Sequence, residues 1–173
     1  MSKKITIIGK NNIDKLNKNK KSIRQVVDKW SNSGNLLNEK KDNQITMLNQ
    51  LFLKENFEGY KFVKKEVERK INGYKNQDIK KKFYDKNKII TYDETLEKLV
   101  ISKLKCYYCR KQCLLMYSNV RDNTQWTLDR IDNKIGHHKN NTVVCCLKCN
   151  LKKGTMDDEK FKFTKQLRII KKY

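Results

Sequence analysis

All six cysteines of the 173-residue chain fall between Cys106 and Cys149. They read Cys106-Tyr-Tyr-Cys109, then Cys113, then Cys145-Cys146-Leu-Lys-Cys149. Each C-x2-C pair turns two sulfurs toward one point, and two pairs present four thiolates tetrahedrally to zinc. Cys106, Cys109, Cys146 and Cys149 are therefore the expected structural Zn2+ ligands. Taking Cys145 in place of Cys146 would break the two-residue spacing. Cys113 and Cys145 are left over and read as small buried hydrophobes. The first residues offer only Ile5–Ile8 as an apolar run, which is no secretory signal. Disulfides are not expected, and the chain reads as intracellular rather than secreted.

The two knuckles stand 36 residues apart, too far for a simple zinc ribbon, so something is inserted. The insertion contains Trp126-Thr-Leu-Asp-Arg-Ile-Asp-Asn133 and Gly136-His-His-Lys-Asn-Asn141, and the second knuckle runs on into Asn150. This pattern resembles the HNH, or ββα-metal, endonucleases, in the variant whose first motif reads LDRID and whose last reads CxxCN. Within that family the chain resembles HNH endonuclease-like proteins of large DNA viruses. Tyr74-Lys-Asn-Gln-Asp78, Cys106-Tyr-Tyr-Cys109 and Phe163-Thr-Lys-Gln-Leu167 extend the resemblance over roughly residues 60–173.

The resemblance implies a divalent-metal-dependent DNA endonuclease that hydrolyses phosphodiester bonds and leaves a 5′ phosphate. Asp129 and Asn150 resemble the two protein ligands of the catalytic Mg2+ or Mn2+, and Asn141 the residue that braces the hairpin loop. A hard cation that keeps several waters suits one carboxylate and one amide oxygen. Taken singly, Asp129 is more readily a strand-end carboxylate and Asn150 a helix N-terminal cap. If the resemblance to viral proteins extends to origin, the site of action is the host cytoplasm or a viral replication site.

One position departs from the family. The residue after the metal-binding Asp is usually a general-base His, and here it is Arg130, which stays protonated. Three readings follow. His137, one of two histidines in the loop, acts as base or contacts the phosphate. Alternatively a metal-bound water needs no protein base, and Arg130 clamps the phosphate. Or catalysis is lost, leaving a zinc-stabilised DNA-binding protein. Lys152 and Lys153, after the metal-site motif, are expected to meet phosphates together with Arg130.

These residues need elements to hold them. The expected architecture is α+β: a helical, basic N-terminal region (1–60), then a nuclease-like domain with its helical lead-in (61–173) and a zinc-clamped core near 105–156. Residues 1–21 read as loosely ordered and 38–43 as polar linker. Helices are expected at Ser22–Trp30, around Ile45–Phe52, at Phe62–Ile71 with Gly73 as a stop, and at Asn76–Tyr84. Thr91-x-x-Glu94 is a capping box opening a helix that carries Leu96, Leu99, Val100 and Leu104. Leu114–Tyr117, Trp126–Ile131 and Thr142–Cys145 read as strands, with 133–141 as the connecting loop. A closing helix over Asp157–Lys171 would place Phe163, Leu167 and Ile170 on one side. Trp126 reads as hairpin core.

Composition sets the partner class. Lys plus Arg number 41 against 19 Asp plus Glu, a net charge of +22. The surplus is spread: +13 over residues 1–105 and +9 over 106–173. It attracts polyanions, with DNA first. The absence of Pro and the 19 Asn point to an AT-rich coding bias that accounts for part of the Lys excess. No apolar run approaches the ~18 residues of a membrane span, and nothing marks a small-molecule substrate.

Overall fold

The structure, a computed structural model, describes Gly9 and residues 41–167. The expected helix at Ser22–Trp30, the loosely ordered start and Ile170 lie outside the described residues. The chain is α+β. Helices α1 (Lys41–Phe52), α2 (Tyr60–Lys80) and α3 (Tyr92–Ile101) precede strands β1 (Trp126–Arg130) and β2 (Thr142–Cys146). Helix α4 (Leu147–Lys153) follows β2 directly, and α5 (Asp158–Gln166) closes the described part. Among the described residues, no helix is long and apolar enough to cross a membrane.

Four helical expectations change, the smallest being that α3 ends at Ile101 and leaves Leu104, at φ 54°, outside it. Helix α1 begins inside the expected linker, at Lys41. Helix α2 does not stop at Gly73 but runs 21 residues and absorbs most of the expected Asn76–Tyr84 helix. A mid-helix Gly costs roughly 0.5–1 kcal/mol against Ala. Buried Tyr74 and Asp78, one turn apart just beyond Gly73, outweigh it by anchoring the helix to the hairpin. In α5 the buried aromatic is Phe161, while Phe163 and Leu167 are exposed. Phe161 meets the ring of Tyr108 edge-on at 5.0 Å, which turns the opposite face outward. Helix α3 opens on the expected capping box, Thr91 and Glu94 bonding reciprocally.

The sheet has two antiparallel strands, with Trp126 opposite Cys146 and Arg130 opposite Thr142. Leu114–Tyr117 forms no strand; Leu114 makes only an isolated bridge with Gln125. Every residue of β1 is buried, although among the described residues its outer edge has no third strand. Buried backbone groups need partners, and side chains supply them. Tyr74 Oη accepts from Leu128 N at 2.9 Å. Lys70 donates to the Trp126 carbonyl, and Lys153 to the Arg130 carbonyl at 2.8 Å. Asn150 donates to the Leu128 carbonyl at 3.2 Å. Helices α2 and α4 thus seal an edge that would otherwise be open to pairing. Trp126 is fully buried in the core, as expected, alongside Leu48, Leu51, Leu96 and Leu99.

Candidate functional site

The four expected cysteines converge. The sulfurs of Cys106, Cys109, Cys146 and Cys149 all lie within 4.8 Å of one another and could hold a metal ion. Cys109 Sγ and Cys146 Sγ are 3.9 Å apart. In the first knuckle the Arg110 N–H returns to the Cys106 carbonyl at 2.9 Å, with Arg110 at φ 60°. In the second, Cys146 is the N-cap of α4 and Cys149 lies in its first turn. Cys113 and Cys145 are buried outside the cluster. Burial holds the Cys145 thiol well above its ordinary range, so it stays neutral.

The first knuckle also reaches the hairpin. Tyr108, between its two cysteines, is fully buried and donates its hydroxyl to Asp129 Oδ2 at 2.6 Å. Burial, and then that bond, raise the Tyr108 hydroxyl well above its ordinary value and keep it a donor. Lys153 Nζ lies 3.2 Å from the same Asp129 oxygen. Lys153 was expected on a phosphate-facing surface; it is buried instead, held by Asp129 and the Arg130 carbonyl. Lys152, its neighbour, is exposed.

Asp129, Arg130, His137 and Asn150 line one open cavity of about 760 Å³, beside Lys81 and Phe83. Asn150 donates its amide to Thr127 Oγ1 at 3.1 Å and to the Leu128 carbonyl. Both amide hydrogens are thereby used, and its Oδ1 is left as an acceptor. The Arg130 guanidinium donates to the Ile135 carbonyl at 3.2 Å and sits 5.7 Å from the centre of the Phe83 ring.

Asn141 does not line the cavity; it holds the loop. Its Oδ1 accepts from Asp132 N at 2.9 Å, and its amide donates to the carbonyls of Asp132 and Gly136, each at 3.0 Å. The loop it closes carries His137, which is buried. His137 Nδ1 lies 2.8 Å from Asp78 Oδ1, and its backbone N–H donates to Asp78 Oδ2 at 2.6 Å. Tyr74 stacks on the imidazole with centroids 4.7 Å apart. Burial pushes the imidazole below its ordinary value, against the upward pull of Asp78, so it is neutral at neutral pH. His138 does not join the cavity lining; its backbone bridges to Ile89.

The roles of Asp78, Tyr108 and Lys153 were missed in the sequence, although the first two stand in segments that carry the family resemblance. Asp78 lies 59 positions before His137 on a Lys-rich helix, and no local spacing links the two. Tyr108 carried a faint signal, as a phenol enclosed between two metal-spaced cysteines.

Groups able to take a proton, neutralise a phosphate and coordinate a hard cation therefore share one cavity, beside a separate four-sulfur cluster. No protein-family description, curated protein or solved structure matches this chain.

Proposed function

We propose that the protein is a divalent-metal-dependent DNA endonuclease of the HNH, ββα-metal type, clamped by a structural zinc. The observation that carries this reading is the meeting of Asp129, Arg130, His137 and Asn150 at one cavity beside a strand–strand–helix unit.

Four thiolates at Zn–S distances of about 2.3 Å have sulfurs roughly 3.8 Å apart. The 3.9 Å between Cys109 and Cys146 fits that shell, and a four-sulfur donor set selects a soft or borderline metal over Mg2+. The oxygens of Asp129 and Asn150 suit a hard cation, Mg2+ or Mn2+. When bound there, that cation supplies charge stabilisation to the phosphorane and the departing 3′ oxygen.

The residues of the chain do the rest. His137, neutral and held by Asp78, takes the proton from the attacking water. The water oxygen bonds to phosphorus while the bond to the 3′ oxygen breaks, leaving a 5′ phosphate. The 3′ oxygen takes its proton from solvent. Arg130, always charged, offsets the phosphate's negative charge from the position where the family usually keeps its base. Lys152 and the wider surplus of +22 hold the rest of the DNA.

A specific observation favours a second reading, a DNA-binding protein without catalysis. Asp129 already carries Tyr108 and Lys153, which compete with a cation for its charge. Incubation with supercoiled plasmid in Mg2+, Mn2+ and EDTA separates the two. The nuclease nicks with either metal and stops in EDTA; the binder retards the plasmid and never nicks it.

A further inference from the structure

We propose that Asp78 is a positioning residue that fixes His137 in the tautomer protonated on Nδ1, which leaves Nε2 as the proton acceptor in the cavity. Its catalytic meaning rests on the nuclease reading above, but the tautomer itself does not.

A carboxylate only accepts hydrogen bonds. Asp78 Oδ1 lies 2.8 Å from Nδ1, so the hydrogen between them belongs to the imidazole. Asp78 Oδ2 takes the backbone N–H of the same residue at 2.6 Å. Two bonds from one carboxylate to one histidine fix both its backbone and its ring edge. Tyr74, one helical turn before Asp78, covers the ring face at 27° to its plane. Residues four apart on a helix share a face, so α2 grips the imidazole by edge and face together. Nε2 has no partner among the described residues and is not among their sealed, unsatisfied atoms. Asp78 itself is 1% exposed, so nothing in solvent competes for it. Gly136 shows how close this approach is: a Cβ there would lie 2.9 Å from Asp78 Oδ2 and 2.6 Å from the Phe83 carbonyl.

This arrangement makes Asp78→Asn an informative variant. The His137 backbone N–H demands an acceptor, so the new amide must turn its oxygen there. Its NH2 then faces Nδ1, which must accept, and the ring proton moves to Nε2. The shape is retained while the cavity-facing atom changes from acceptor to donor.

The test is nitrogen-15 NMR of the imidazoles in the full, zinc-loaded chain, with His138→Gln used to assign the two rings. Wild type should show a protonated Nδ1 and an unprotonated Nε2 at His137; Asp78→Asn should show the reverse. Plasmid cleavage by the variant should fall about 10²–10⁴-fold in kcat, the usual worth of a positioned general base, with KM within about two-fold. A wild-type His137 protonated on Nε2 overturns the proposal without need of any variant. So does an Asp78→Asn protein whose tautomer is unchanged. If the tautomer inverts but wild type never cuts DNA, Asp78 keeps its positioning role and the nuclease reading is what fails.

Discussion

Asn141 holds its loop through side-chain bonds to the backbone of Asp132 and Gly136, with a longer one to Ile135. Asn141→Ala removes them all and leaves part-buried backbone groups unpaired. The expected loss is about 1–3 kcal/mol in denaturant melts, with weaker nicking because His137 rides on that loop. Lys70 offers a residue-scale prediction in pH. Burial pushes its ammonium down to about 7, chiefly by desolvation, with partial compensation from Glu66. The folded chain therefore holds that proton less tightly than the unfolded chain, whose ordinary Lys value is 10.5. Between those values the unfolded state binds more protons, so this contribution to stability rises with pH. The stability of wild type relative to Lys70→Met should increase from pH 7 to 9, as read by paired urea melts; a constant gap would mean that Lys70 titrates normally. The four clustered cysteines were legible because each C-x2-C spacing is local, and the Asn141 brace was legible through the family resemblance. The ion pair of Asp129 with Lys153 was not, because a Lys reads as surface until a helix turns it inward.

Helices and strands were legible where the pattern was strong and local. The capping box at Thr91 and the two hairpin strands stand within a residue or so of their expected bounds. The stop at Gly73 failed because a helix breaker acts on local propensity, whereas Tyr74 and Asp78 answer to a hairpin more than 50 residues away. The apolar face of α5 was misassigned for a related reason: Phe161 is chosen by its contact with Tyr108, not by periodicity. Two predictions belong to this scale. Gly136→Ala should destabilise by more than about 1 kcal/mol, since the Phe83 carbonyl is backbone and cannot swing away from a Cβ 2.6 Å distant. Thermal melts check this, and an unchanged midpoint would show that the loop has room. Cys106→Ser should lose bound zinc and stability together, because binding free energy at a structural site is folding free energy. It should also weaken cleavage, since Tyr108 links the first knuckle to Asp129. Metal analysis finding a folded, zinc-free wild type would contradict both.

Across the whole molecule, the charge of +22 and the convergence of the insertion on one cavity bear on the same question. On the proposed reading, the broad basic surplus holds DNA through phosphate contacts, which position without reading sequence, and leaves the cutting to the cavity. On the same proposal, cutting depends on Asp129. The decisive measurement compares wild type with Asp129→Ala, purified identically and loaded with zinc, for Mn2+-dependent nicking of supercoiled plasmid and for DNA affinity in the same buffer. The account predicts metal-dependent nicking by wild type, none by Asp129→Ala, and nearly equal affinity, since the lost carboxylate repels phosphate. Equal nicking by both proteins, or tight binding by wild type with no nicking under any divalent metal, would contradict it.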